Sequence, residues 1–239
     1  MALPLAVAVW VKSFQSTNAP APTRQRSMAA HCCLVSEFPK WKRAFDVIVA
    51  LFLLVFLFPI LTIVAALVAM DGGPIICRQQ RAGMNAQPFG VLKFRTMRHD
   101  AEQKLQELLE RDKDAAANWA TCQKLRDDPR ITRVGQFLRR SSLDELPQLV
   151  NVLIGSMSIV GPRPIMESET KRYGHHIRHY YHCRPGVTGL WQVNGRSDVS
   201  YRRRVAFDAI YARKFGHIGI DIKVIAMTIP AVLLGRGAR

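Results

Sequence analysis

The run from Val47 to Met70, VIVALFLLVFLFPILTIVAALVAM, holds 24 residues and no charge. A stretch apolar on every side must be buried completely or placed in a membrane. At about 1.5 Å per residue it is long enough to cross a roughly 30 Å hydrocarbon layer as one helix. Two features oppose so simple a span. Pro59 stands at the centre, with 12 residues before it and 11 after. Each half covers only about 18 Å, and proline removes a backbone donor and crowds the preceding turn. Basic residues also flank both ends: Lys40, Lys42 and Arg43 before, then Arg78 and Arg81, with Lys93 and Arg95 beyond. A spanning helix carries its lysine and arginine excess on one side. A helix-break-helix wedge that enters and leaves by one face, broken at Pro59, satisfies both features. A kinked span satisfies the hydropathy as well, because membrane helices tolerate proline.

The 239 residues include 34 Lys+Arg and 18 Asp+Glu, a net charge of +16, and 49% of them are hydrophobic. That apolar share excludes a disordered polyelectrolyte, and the length suffices to bury a core without covalent staples. The charge points to a polyanionic partner: nucleic acid, an anionic membrane surface or a phosphorylated substrate. Arg202-Arg203-Arg204 would suit nucleic acid, but no helix-turn-helix or RNA-binding signature accompanies it. The basic residues gather beside the apolar run, so no nucleic-acid partner is expected. The five cysteines lack any C-x-x-C spacing and read as free thiols.

Residues 1–39 read as a flexible lead; the apolar Met1–Val11 has no preceding basic residue and makes a poor signal peptide. Residues 40–73 form the hairpin, ended by the turn cluster Asp71-Gly-Gly-Pro74. Beyond it, β-prone stretches predict a β-hairpin around Gly83–Gln87. Periodicity predicts helices over Ala101–Leu125, Val134–Arg140, Leu143–Ile154 and Glu167–His182, with a short buried strand at Met157–Val160. Tyr201–Lys214 is basic and amphipathic, and the apolar Ile218–Leu234 follows; residues 201–239 read as a basic interfacial tail. The expected class is α+β: a mainly helical, membrane-associated (monotopic) domain with a re-entrant hairpin, a small sheet and interfacial helices.

The candidate chemistry centres on Leu138-Arg-Arg-Ser-Ser-Leu-Asp-Glu-Leu-Pro-Gln148. Ser141 with Asp144, and Ser142 with Glu145, fit the S-x-x-[D/E] capping pattern, so the carboxylates can simply complement a helix N-terminus. Alternatively, two adjacent carboxylates divide labour, one attacking phosphorus and the other holding a divalent cation. Phosphate oxygens would then need arginines nearby, and Arg139 and Arg140 lie just upstream. Lys93 and Arg95 end a predicted strand, and Arg163 sits in the rigid turn Gly161-Pro-Arg-Pro164. The glycine-rich Pro185–Arg196 can cradle a nucleotide through backbone donors, with Arg196 at its end, but carries neither common phosphate-loop fingerprint. His175, His176, His179 and His182 fall on one predicted helix. No carboxylate or cysteine completes a metal set there, so they read as the rim around Tyr173, Ile177, Tyr180 and Tyr181.

Several segments together resemble the bacterial sugar transferases, the monotopic polyprenyl-phosphate phosphoglycosyl transferases. They are Lys42-Arg-Ala-Phe-Asp46, Lys93-Phe-Arg-Thr-Met97, Ser142-Leu-Asp-Glu-Leu-Pro-Gln148, Met157-Ser-Ile-Val-Gly-Pro-Arg-Pro164 and Arg184-Pro-Gly-Val-Thr-Gly189. The short chain looks like the small members. Asp198-Val-Ser-Tyr201 and Thr228-Ile-Pro-Ala-Val232 look similar to the exopolysaccharide-initiating, galactose-type branch. The resemblance implies a re-entrant hairpin at Pro59, although the family usually places Ser where this chain has Phe58. It implies that residues 74–200 form the catalytic domain and that Asp144 attacks the sugar-linked phosphorus of a UDP-sugar, releasing UMP. Glu145 would bind Mg²⁺, Arg139 and Arg163 would clamp phosphate or nucleotide, and polyprenyl phosphate would accept the phosphosugar. Lys93, Arg95 and Arg196 join the phosphate-facing set. The implied location is the bacterial inner membrane among its lipids, with the site on the cytoplasmic face. The identity of the sugar and the oligomeric state are not implied.

Overall fold

The computed structural model describes residues 38–122, 125, 128–195 and 199–233. The apolar run forms two helices, α1 (Lys40–Phe56) and α2 (Phe58–Ala69), bent by 65° at Leu57. Pro59 falls in the first turn of α2, where the missing N–H costs nothing and the fixed φ suits the helix start. A hydroxyl next to the break comes from Thr62, which donates to the Phe58 carbonyl at 2.9 Å. Among the described residues, no single helix is long and apolar enough to cross a membrane.

Both helices bury one narrow strip. Ala50 of α1 and Val64 and Val68 of α2 are buried, whereas Ile48, Phe52, Val55, Phe56 and Ile63 are more than 60% exposed. Lys42, one of the basic residues flanking the apolar run, is buried completely. Its Nζ lies 2.9 Å from Asp46 Oδ1 and 2.9 Å from Asp221 Oδ2. Asp46 in turn accepts from Ser158 Oγ at 2.8 Å and from the Ile159 N–H at 3.1 Å. Arg43 donates to the Val152 and Leu153 carbonyls, which the end of a helix leaves open. Two of the flanking cations therefore fasten the hairpin to the rest of the chain.

The expected β-hairpin is present as β1 (Ile76–Ala82) paired antiparallel with β2 (Pro88–Phe94), Cys77 opposite Lys93. The single helix expected over Ala101–Leu125 is instead α3 (Ala101–Arg111) and α4 (Lys113–Cys122). Asp112 divides them, because its carboxylate accepts the N–H groups of Asp114 and Ala115 and so starts a new helix. Next come α5 (Arg133–Ser141), capped by the Thr132 hydroxyl on the Gly135 N–H, and α6 (Gln148–Ile154). The strand expected at Met157–Val160 is β3 (Ser158–Val160), and it pairs in parallel with β4 (Gly186–Thr188).

The helix expected over Glu167–His182 is broken into short turns, α7 (Thr170–Tyr173) and α8 (Ile177–Tyr181), because Gly174 takes a φ of +52° between them. Tyr173 and Tyr180 are buried, as the sequence led us to expect. A further short turn, α9 (Leu190–Val193), precedes α10 (Tyr201–Arg213) and α11 (Ile218–Leu233). These last helices join the core that holds the site. Tyr211, Ala212 and Val224 pack with Ala50, Val91, Leu149 and Val160. The Tyr211 hydroxyl lies 2.8 Å from the Val160 carbonyl and 2.9 Å from Asp221 Oδ1.

Candidate active site

The sequence left Asp144 and Glu145 between a capping role and a chemical one. No continuous helix runs over Leu143–Ile154. Ser142 takes a left-handed conformation (φ 60°, ψ 16°) that ends α5, and Leu143–Glu145 form one 3₁₀ turn. Pro147 then introduces α6. Neither serine caps the turn that bears the carboxylates: Ser141 Oγ donates back to the Phe137 carbonyl, and Ser142 makes no side-chain cap. The carboxylates are directed at cations instead. Lys93 Nζ, on β2, lies 2.7 Å from Glu145 Oε1 and 4.0 Å from Asp144 Oδ2. Arg163 Nη2 reaches the same Glu145 oxygen at 3.1 Å.

Arg163 is held there by backbone packing. Gly161 donates to the Thr188 carbonyl at 2.9 Å, and Gly186 donates to the Pro162 carbonyl at 2.8 Å. A Cβ on Gly186 or Gly189 would collide with the Gly161 backbone. These two glycines let two chain segments touch, which fixes the turn bearing Arg163.

Electrostatics separates the two carboxylates. Burial opposes ionisation of Glu145, but the charges of Arg163 and Lys93 outweigh it and hold its carboxyl down at about 2. Burial pushes the Asp144 carboxyl up; Lys93 opposes this, while the charge of Glu145 adds to it. Glu145 is thus committed to its cations, and Asp144 is the more basic, less engaged oxygen donor beside them.

Of the remaining sequence candidates, Arg139 lies close enough to lower the Asp144 carboxyl and is held by Thr96, its Nε donating to Oγ1 at 2.9 Å. Arg95 turns away. Its Nη2 donates to the Val68 carbonyl at 3.2 Å and lies 3.7 Å from Asp71, so it secures the exit of the hairpin. Arg196 lies outside the described residues. Among the described residues, no group of three or more His, Cys, Asp and Glu is arranged to hold a metal by itself.

Glu145, Lys93 and Arg163 line a cleft that also takes in Arg81, Gln148, Glu169 and Gln192. Gln192 lies in the stretch that the sequence offered as a nucleotide cradle, whereas Arg81, Gln148 and Glu169 were not singled out as site residues. For Gln148 there was a signal, its place one turn beyond the carboxylates, but only the fold shows that it faces the cleft.

A family model described as bacterial sugar transferase matches residues 37–235. The chain belongs to that family. Among curated relatives of this sugar transferase is the exopolysaccharide production protein ExoY of Sinorhizobium fredii, 48% identical over 198 residues, which cover 82% of this chain and 87% of ExoY. The undecaprenyl-phosphate galactose phosphotransferase of Salmonella typhimurium is 45% identical over 82% of this chain and 41% of its own length. The UDP-glucose:undecaprenyl-phosphate glucose-1-phosphate transferase of Escherichia coli is 40% identical over 79% of this chain. The match covers 39% of that relative, so this sugar transferase spans well under half of each of the two longer proteins.

Proposed function

We propose that this sugar transferase moves a hexose-1-phosphate from a UDP-sugar to undecaprenyl phosphate, releasing UMP, as the first membrane step of exopolysaccharide assembly. The observation that carries the reading is the unequal carboxylate pair, Asp144 raised and Glu145 held at about 2, facing Lys93 and Arg163. The names of the galactose and glucose relatives support the same substrate classes.

In the first step an Asp144 oxygen attacks the sugar-bearing phosphorus. The bond from that phosphorus to the bridging oxygen breaks, and UMP leaves with the electron pair. Lys93, Arg163 and Arg139 offset the phosphate charge around the transferring group. In the second step an oxygen of polyprenyl phosphate attacks the same phosphorus. The bond to Asp144 breaks, restoring the carboxylate and yielding polyprenyl diphosphosugar. Raised basicity suits Asp144 to attack, whereas Glu145 stays ionised throughout.

Mg²⁺ fits the donor set. Asp144 and Glu145 offer adjacent hard oxygens, and magnesium is usually held by one or two carboxylates together with substrate phosphates. Glu145 would hold it, and when bound it would neutralise charge on the diphosphate. The exposed apolar faces of α1 and α2 would enter the cytoplasmic leaflet of the inner membrane as a re-entrant wedge, so that the site meets its lipid acceptor at the surface.

The test is to incubate purified protein with UDP-galactose or UDP-glucose and no lipid acceptor. A phosphosugar adduct on the peptide bearing Asp144, with UMP released, is expected, and Asp144→Asn should lose both. UMP release that requires the acceptor and leaves no adduct would overturn the covalent route in favour of direct transfer.

A further inference from the structure

The catalytic cleft has one wall whose chemistry the charged residues leave unused. Gln148 is only 3% exposed yet lines the cleft. Its amide makes no hydrogen bond to another described residue, and its N and O stay accessible from the cleft. Gln192 lines the same cleft. Its Nε2 is spent on the Val187 carbonyl at 3.1 Å, while its Oε1 is buried without a donor. Turning that amide over would set Oε1 against the Val187 carbonyl, so the assignment follows from the chemistry. A buried amide oxygen such as that of Gln192 normally finds a donor.

We propose that Gln148 is a substrate-binding residue whose amide hydrogen-bonds a hydroxyl of the donor's sugar, with Gln192 on the same wall. This rests on the reading of the chain as a UDP-sugar transferase. Phosphate is the less suitable ligand for the amide, because Lys93 and Arg163 already face the reacting centre with full charges. Reach then favours the sugar over the base. Gln148 stands four residues beyond Asp144 and opens α6 directly after Pro147. In the donor the hexose is bonded to the attacked phosphorus itself, whereas uracil is separated from it by a second phosphate and a ribose. A neutral amide can both donate to and accept from a hydroxyl, which no cation in this cleft can do.

The test uses Gln148→Met, close in volume and without the amide, in the full chain. Equilibrium binding is measured for UDP, for UDP-galactose and UDP-glucose, and for their singly deoxygenated analogues. We expect the variant to bind the UDP-sugar about 10-fold more weakly, the equivalent of about 1.4 kcal/mol, with UDP unchanged. One deoxy analogue should bind the unsubstituted protein about 10-fold more weakly than its parent sugar, and the variant should not discriminate between the two. Tm of the ligand-free variant should stay within a degree or two, because the amide atoms removed are ones the cleft leaves accessible. Equal weakening of UDP and UDP-sugar would overturn the proposal and assign the amide to the nucleotide. Unchanged binding with a lower Tm would assign it a packing role. Failure of the unsubstituted protein to bind either UDP-sugar would overturn the functional reading itself, an outcome distinct from both.

Discussion

Two adjacent carboxylates in one 3₁₀ turn differ because their neighbours differ. Glu145 shares one oxygen between Lys93 and Arg163, whereas Asp144 has its nearest cation, Lys93, at 4.0 Å. On the proposed covalent route Asp144 must be ionised to attack, and Lys93 works against the burial that raises its carboxyl. Lys93→Met removes that opposition. The acid limb of the pH profile for UMP release should therefore move to higher pH. The maximal rate should fall on the order of 10²-fold, as when a preorganised charge is lost from a phosphoryl-transfer site. An unmoved acid limb would mean that Lys93 acts only on the substrate. Glu145 carries the opposite sign. Its depressed carboxyl stabilises the folded state above the ordinary value of 4.5, and that contribution is lost as pH falls toward about 2.

Among the elements, α1 is tied by buried polar contacts to distant parts of the chain. Asp46 joins it to β3 through Ser158 and Ile159, and Lys42 joins it to α11 through Asp221. Asp46→Ala would leave Lys42 with one counter-charge and the buried Ile159 N–H without an acceptor, while Ser158 Oγ keeps the Val160 carbonyl at 2.9 Å. Breaking a buried pair from one side costs about 3–5 kcal/mol. Thermal unfolding of the detergent-solubilised protein should therefore shift down by on the order of 10 °C. A change of a degree or two would show that the hairpin docks by apolar packing alone. The motif Lys42-Arg-Ala-Phe-Asp46 was legible in the sequence as a family feature, but its use was not. Spacing of four on a helix permits the Lys42–Asp46 pair, whereas Asp221 arrives from the far end of the chain. The helix divided at Asp112 and the helix divided at Gly174 were misread for a local reason. Apolar periodicity continues across both points, and only the cap and the positive φ interrupt the backbone.

At the scale of the whole molecule, the net charge of +16 separates into parts with different work. Lys42, Arg43 and Arg95 hold the hairpin to the domain, and Lys93, Arg139 and Arg163 gather at or beside the carboxylates. The apolar side chains left exposed on α1 and α2 form the surface that the re-entrant reading places in the lipid. That reading predicts one-sided access. Lys40→Cys and His99→Cys, made singly in a background without other cysteines, should both react with a membrane-impermeant maleimide only from the cytoplasmic side of inverted or right-side-out vesicles. Labelling from opposite sides would identify a kinked span.

Covalent adjacency and local pattern settle a good deal on their own. Pro59 cannot lie inside a continuous apolar helix without breaking its ladder, Asp144 and Glu145 are neighbours in any fold, and the ordered motifs name the family. What local pattern cannot carry is which distant charges meet. Lys93 and Arg163 reach Glu145 from 52 and 18 residues away. Arg95, two residues beyond Lys93, turns instead to a helix end. Gly186 and Gly189, in the glycine-rich stretch, are contact points with the backbone of Gly161. Gln148 is indistinguishable in sequence from a satisfied core amide. That it lines the cleft comes only from how α6 packs beside β2 and β3, because which side chains face a cleft is a property of the packed whole.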